Sequence, residues 1–551
     1  MIHSSRTLFL GLMLGLSAAS GQTMIDTTAA VGIQGTLNQI GTPNLTGAVQ
    51  SAQGAAATVQ AQNNATAAMI AQTTPAAPGA KVTVAVTPLT AAQQALLEQA
   101  RAAYRAGNLP LARTRFETLI AQNFTNPEPH FGLALVLYAQ NDLKGAAFEL
   151  GQFMTMAPDR FEGPYNMGVL ATRQGDHDGA LKWYAEAARL LGDGANPQAR
   201  RQVLDALAAE QAFKKDYAAL TTTLESLAAL APNDNAVQFR LAQALTLSGR
   251  GATALPGLYA LMNRVPNDPA VPQLIADIYV MQGLPDRAVR ELDSALPRMS
   301  SGTARSGLLL HKAGLLAASG NAAGAVAAAR DATRADSRNA AAFARLAEYL
   351  LARGDRKGAQ DAALSAVRLN PQDARARATL GSIRLGLGLY DAARNDAALV
   401  LTLKPDTVTH AQALYIQGVA AYQTKAYAQA RAALQASLAR QASADTALWL
   451  GLTAYAQKDY AAAIDALTQS VKFSPTANAR QNLASALLAG ARYAEAEAIL
   501  KGLVQEQAKN AEAWYLLGLS QRAQGREADA RVSLRTAAGL GNTRARDALK
   551  S

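Results

Sequence analysis

The chain has 551 residues, too many for one compact core, so several domains or an extended array is expected. Half of its residues are apolar but only 5 % are aromatic, the composition of Ala-rich helices whose backbones pack closely. The absence of Cys excludes disulfides, Cys-ligated zinc, a thiol nucleophile and a lipid-modified Cys. The net charge of +11 is spread along the chain without a Lys/Arg run of five, which reads as a solvated surface rather than a nucleic-acid stripe.

Residues 1–21 have the pattern of an export signal. Arg6 supplies the positive start, 8-LFLGLMLGL-16 the apolar stretch and 17-SAASG-21 the small residues of a cleavage site. The apolar stretch is short for a bilayer span, and no longer one follows, so the mature chain is expected outside the cytoplasm, in the periplasm or at the cell surface. Residues 22–92 carry only two charges, Asp26 and Lys81, and few large apolar side chains. This low-complexity segment reads as a loose tether. Within it, 81-KVTVAVTP-88 alternates like a short strand, though a lone strand is not stable, and 90-TAAQ-93 is a capping box with Thr90 as N-cap and Gln93 at the third helical position.

From residue 93 the sequence repeats itself. Thirteen units share one register, starting at 93, 127, 161, 201, 235, 269, 306, 340, 374, 411, 444, 477 and 511. The eighth position is always Gly or Ala, with Gly at Gly168, Gly381, Gly418, Gly451 and Gly518. The twentieth is Ala except at Leu220, and Gly fills the fifteenth in eight units. Six units close with Pro at position thirty-two, for example Pro158 and Pro475. Two antiparallel helices per unit explain these positions. The small residue at eight and the Ala at twenty let two backbones approach, while large residues at four, seven and twenty-four fill the space around them. A Gly at fifteen ends the first helix. No unit can bury its apolar face alone, so stacking must close the core. The rare Trp514 fills space one turn from Gly518.

This pattern resembles the tetratricopeptide repeat family over residues 93–544, with 545–551 as a polar cap. The resemblance implies an all-α fold, a right-handed α-solenoid of stacked antiparallel helix pairs, whose concave face is lined by first helices and binds peptides or partner proteins. The three long intervals follow the third, sixth and ninth units, so the starts 93, 201, 306 and 411 are 108, 105 and 105 residues apart. The array is therefore read as three-repeat blocks with irregular joints, the insertions carrying loop residues such as 192-GDGANPQ-198 and 300-SSGTARS-306.

Nothing in the sequence points to catalysis. The five His lack metal-ligand spacing except in 175-GDHDG-179, which falls in the turn between two helices, where Asp and Gly are expected. No nucleophile elbow, phosphate loop or metalloprotease motif occurs, and after the repeats only a cap remains. The expectation is a non-enzyme without cofactor or metal.

In the family, positions 2, 5, 9, 12 and 13 of the first helix line the concave face. Aromatic residues gather there at both ends of the array: Tyr104, Phe131, Tyr138 and Tyr165 in repeats one to three, and Tyr415, Tyr422, Tyr455 and Tyr515 in repeats ten to thirteen. Such rings are strong anchors for a partner. Arg101, Arg105 and Arg173 add cations that favour an acidic or carboxylate-bearing ligand. The two-carboxylate clamp of chaperone-binding relatives is absent: Asn166 and Asn482 match singly, beside Phe131, Leu135, Leu448 and Leu452. The expected function is an exported protein-binding scaffold in cell-envelope assembly, such as pilus, secretin or outer-membrane machinery. An accessory periplasmic subunit of polysaccharide synthesis or export is the alternative, and nucleic-acid binding is disfavoured.

Overall fold

The computed structural model describes residues 84–192 and 196–550. The export signal, most of the tether and the middle of the 192–198 insertion lie outside them. Among the described residues there are 27 α-helices and no strand. They run from Ala91–Arg105 to Thr543–Ala548, and within each compact unit consecutive helices pack as hairpins that stack on one another. Two compact units divide the chain, one ending at Leu261 and the other beginning at Met262.

The hairpin turn is the most uniform feature. All thirteen residues at position fifteen of the sequence register have positive φ. Eight are the Gly expected from sequence; the other five are Asn141, Lys215, Lys425, Lys458 and Ala491, at φ 59 to 65°. The left-handed geometry thus belongs to the turn and is imposed even where a side chain resists it. The next residue caps the second helix. In seven repeats it is Asp or Asn, and its side chain accepts from a backbone N–H three residues on, as Asp142 does from Gly145 at 2.9 Å.

Within each hairpin, position eight meets positions twenty and twenty-four. A Cβ on Gly518 would lie 2.7 Å from Leu534 Cγ and 3.2 Å from the Ala530 carbonyl. On Gly418 it would lie 2.5 Å from Leu434 Cγ, and on Gly168 2.5 Å from the Tyr184 ring. Gly381 is looser, its first neighbour being Ile416 at 3.3 Å. The core is a succession of small clusters, each drawn from neighbouring helices: Leu97, Phe116, Leu119 and Phe153 near the start, Leu487, Leu500, Leu503 and Leu517 near the end. Trp514 packs at the last of these, and its indole N–H donates to the Ala508 carbonyl at 2.9 Å.

Two expectations change. The start of the described chain does not run loose. Thr87 is held by Asn123 and Asn126, whose side-chain amides donate to its carbonyl at 3.1 and 3.0 Å, and Leu89 packs on the first core cluster. Residues 84–90 form no strand there; Thr90 caps the first helix in a complete capping box with Gln93. The insertions, in turn, are not loop alone. The helices after the third, sixth and ninth repeats, Pro197–Phe213, Gly302–Ala318 and Thr407–Gln423, have 17 residues each, against 13 in most first helices. Each begins four residues before its register start, so one extra helical turn builds each joint. Arg200 and Arg305, in the extra turns of the first two, donate to the Gly192 and Met299 carbonyls of the preceding connectors at 2.8 and 3.0 Å.

Candidate partner-binding surface

The first helices bring the expected rings onto one register but not into one environment. Phe131 and Tyr165 are each 2 % exposed. Phe131 packs against the Phe153 ring at 5.0 Å, and Tyr165 against Tyr184 at 5.6 Å. Burial pushes the Tyr165 hydroxyl up to about 12, although Gln202 donates to it. These two are core residues, a correction to their reading as anchors. For Phe131 the reason lies in the helix Pro127–Ala139, where ten of thirteen residues are buried and Glu128, which is not, is taken up by Arg101 and Arg160. Tyr104 and Tyr138 are half-buried on the same clusters.

The cations divide in the same way. Arg101 is engaged by Glu98 at 2.8 Å and Glu128 at 2.5 Å, and its side chain is 15 % exposed. Arg173 stacks over the Tyr138 ring at 4.6 Å and donates to Asn141 at 2.9 Å. Arg105 is exposed, and among the described residues no carboxylate pairs with it. Two of the three guanidiniums are therefore engaged by neighbouring side chains, and among the described residues Arg105 is the one left without a carboxylate or ring partner.

Repeats ten and eleven hold a different arrangement. Tyr422, on Thr407–Gln423, meets Trp449 at 5.2 Å and Tyr427 at 5.7 Å, both edge-on. Tyr455, on Ala444–Ala456, meets Tyr460 at 5.6 Å and is 39 % exposed. Tyr415 is half-buried; burial raises its hydroxyl, and a hydrogen bond with Trp449 partly offsets this. Burial also raises Tyr422. Trp449 lies at position six and Tyr427 and Tyr460 at seventeen, outside the positions weighed in the sequence. The signal was present as a repeated Tyr-x-x-Lys-x-Tyr, 422-YQTKAY-427 and 455-YAQKDY-460. Lys425 and Lys458, at the tips of these turns, are exposed and left-handed. Tyr515, farther on, is covered by Arg544, whose guanidinium sits 4.8 Å from its ring centre.

Among the described residues no group of three His, Asp or Glu is placed to hold a metal ion, and no helix is long and apolar enough to cross a membrane. The cavity between the first two repeats, lined by Arg101, Tyr104, Phe116, Glu128, Phe131 and Leu135, has a volume of about 10 Å³, room for no more than a water molecule.

One tetratricopeptide repeat family model matches residues 97–159, 344–406 and 427–478, and a second matches 454–520. The chain carries tetratricopeptide repeats in these segments. No curated protein sequence matches it. Similar solved structures include Naa15/Naa10 bound to HypK-THB, at 15 % identity and a TM-score of 0.40, covering 83 % of this chain and 77 % of that one. The APC/C hetero-tetramer Cut9-Hcn1 is similar at 15 % identity and a TM-score of 0.37, covering 84 % and 96 %. A tetratricopeptide repeat protein from Parabacteroides merdae is similar at 19 % identity and 0.34, covering 44 % and 97 %.

Proposed function

We propose that this chain is a non-catalytic scaffold of thirteen repeats that holds partner proteins or peptides on its first-helix face, and that it works outside the cytoplasm in cell-envelope assembly. The observation that supports binding is the ring group of repeats ten and eleven. Tyr422, Trp449 and Tyr455 keep part of their surface in solvent, beside Lys425 and Lys458, which no carboxylate pairs among the described residues. Rigid amphipathic rings offer contact area at low entropic cost, and the lysines favour an acidic partner segment. Export rests on the pattern of residues 1–21.

The test is affinity capture from an envelope extract with the mature chain beside a Tyr422→Ala, Tyr455→Ala variant. A protein retained by the parent and lost by the variant supports the reading. Equal retention by both removes these rings from the binding surface. Processing of the full-length chain, read by the mass of the exported product, tests localisation separately.

A further inference from the structure

Tyr422 and Tyr455 occupy the same position in successive repeats, and each is part of the same small device. A tyrosine closes the first helix, a left-handed lysine turns the chain, and a second tyrosine opens the next helix and braces the first. Tyr422 meets Tyr427 at 5.7 Å and 60°, and Tyr455 meets Tyr460 at 5.6 Å and 62°. Lys425 and Lys458 hold φ of 63 and 62°. The two rungs adjoin, because Trp449 of the later repeat reaches Tyr422 of the earlier one at 5.2 Å.

The register alone does not require this device. Repeats nine and twelve, on either side, keep the second tyrosine as Tyr390 and Tyr493. They carry Leu385 and Leu488 in place of the first, and Gly388 and Ala491 in place of the lysine. In repeat four Lys215 and Tyr217 recur, but Ala212 stands where the first ring would be. A left-handed turn favours glycine, so the turn itself does not call for lysine at both tips. The neighbouring acid does not neutralise them. Asp459 is taken up by Arg431 at 2.9 Å and by the Ala462 N–H at 3.1 Å.

We propose that the two rungs are equivalent half-sites for one ligand, an extended proline-rich segment of a partner protein with a carboxylate at every third residue. This rests on the scaffold reading and gives the partner segment its chemistry. Helices packed side by side lie about 8–10 Å apart, so equivalent points on adjoining first helices recur at about that distance. A polyproline II segment rises about 3.1 Å per residue with three residues per turn, which sets every third side chain about 9 Å apart on one face. Carboxylates at that period meet Lys425 and Lys458 in turn. The prolines between them turn their rings to Tyr422 and Tyr455, as proline-rich segments do on aromatic surfaces. A β-strand does not match, since its one-face positions recur at about 6.7 and about 13 Å. A polyproline segment is also extended before it binds, so little ordering entropy is lost.

The test uses the mature chain and labelled synthetic peptides, with affinity read by fluorescence anisotropy. A peptide of Pro-Pro-Glu triplets should bind about fivefold more tightly than one of the same composition whose glutamates are gathered in adjacent pairs, because only one lysine is then met. Lys425→Asn with Lys458→Asn should erase that preference; asparagine accepts the left-handed backbone, so the turn is kept. Lys425→Asp with Lys458→Asp should transfer the preference to Pro-Pro-Lys triplets. Tyr422→Ala with Tyr455→Ala should weaken the Pro-Pro-Glu peptide at least tenfold. Equal binding of the two glutamate arrangements, or unchanged binding in both lysine variants, would overturn the proposal. So would tighter binding of an alanine-rich helical peptide with glutamates seven residues apart, about 10.5 Å along its axis. If capture from the envelope extract depends on Tyr422 and Tyr455 while no triplet peptide binds, the scaffold reading stands and this ligand is wrong.

Discussion

Leu467 occupies the space that a side chain on Gly451 would need. A Cβ there would lie 2.5 Å from Leu467 Cγ and 3.2 Å from the Ala463 carbonyl. The helix Ala444–Ala456 therefore keeps a residue that costs about 1 kcal/mol in helix propensity because the hairpin closes over it. Gly502, inside Tyr493–Glu506, is the matched control, since a Cβ there meets nothing within 4 Å. Gly502→Ala should stabilise by up to about 1 kcal/mol. Gly451→Leu should destabilise by about 3 kcal/mol or more, as overpacking against backbone has no cheap relief. Urea unfolding of both variants gives the contrast. Because stacked repeats couple mainly to neighbours, protease cuts in the Gly451→Leu chain should fall around residues 411–510 and spare those before 261. Uniform cutting along the chain would contradict local coupling.

Ala491 holds a backbone conformation that its neighbours in the register give to glycine. Its φ of 59° matches the turn at Gly525, where φ is 76°. A left-handed alanine costs about 1 kcal/mol, partly balanced by the greater freedom glycine has when unfolded. Ala491→Gly should thus stabilise by about 0.5 kcal/mol, and Gly525→Ala should destabilise by about 1 kcal/mol. Thermal melts of the two variants, shifted in opposite directions, would establish that the turn dictates its dihedral. Shifts of the same sign would show that side-chain identity matters more.

These two residues also mark what could be read in advance. The hairpin positions were legible because a backbone requirement repeats at fixed spacing and leaves a compositional trace, as glycine does at fifteen and alanine at twenty. Ala491 hid the same requirement behind an ordinary side chain. The binding face was less legible. Register alone placed Phe131 and Tyr165 beside Tyr455, yet the first two are core and the last is exposed. Exposure at a first-helix position depends on the bulk of adjacent helices, and Pro127–Ala139 is buried at ten of thirteen residues whereas Ala444–Ala456 is not covered at Tyr455. The extra turns escaped because 300-SSGTARS-306 reads as a loop by composition, while Gly302–Ala318 continues helical geometry four residues upstream.

Asp406 gives a pH dependence with a definite sign. Its side chain accepts from the Thr409 N–H at 2.7 Å, capping Thr407–Gln423, and the backbone hydrogen bond from Thr409 holds its carboxyl below the ordinary aspartate value. A depressed carboxylate pKa contributes stability above the unfolded value, near ~3.9, and loses it as pH falls through the folded value. Asp406→Ala should cost about 1 kcal/mol at neutral pH. The difference between parent and variant should shrink between neutral pH and an acid pH below the folded value, where the cap loses its charge. Urea midpoints of the two chains at both pH values provide the measurement; a difference that persists undiminished in acid would assign the cost to packing.

Tyr165 and Tyr455 separate folding from binding. Tyr165 is enclosed at 2 % exposure against Tyr184, so Tyr165→Ala leaves a cavity and should cost about 3–5 kcal/mol, in the range for large aromatic truncations. Tyr455 is 39 % exposed and touches Tyr460 only edge-on, so Tyr455→Ala should cost about 1 kcal/mol or less. If the ring group of repeats ten and eleven holds a partner, Tyr455→Ala should weaken capture at least tenfold while the melting profile hardly moves, the pattern of an interface anchor. Tyr165→Ala should do the reverse, shifting the melt of the N-terminal repeats and leaving capture by the intact C-terminal repeats unchanged, because stability in stacked repeats is local. Loss of capture in Tyr165→Ala with Tyr455→Ala silent would move the binding surface to the N-terminal repeats, where Arg105 is the cation left free to meet it.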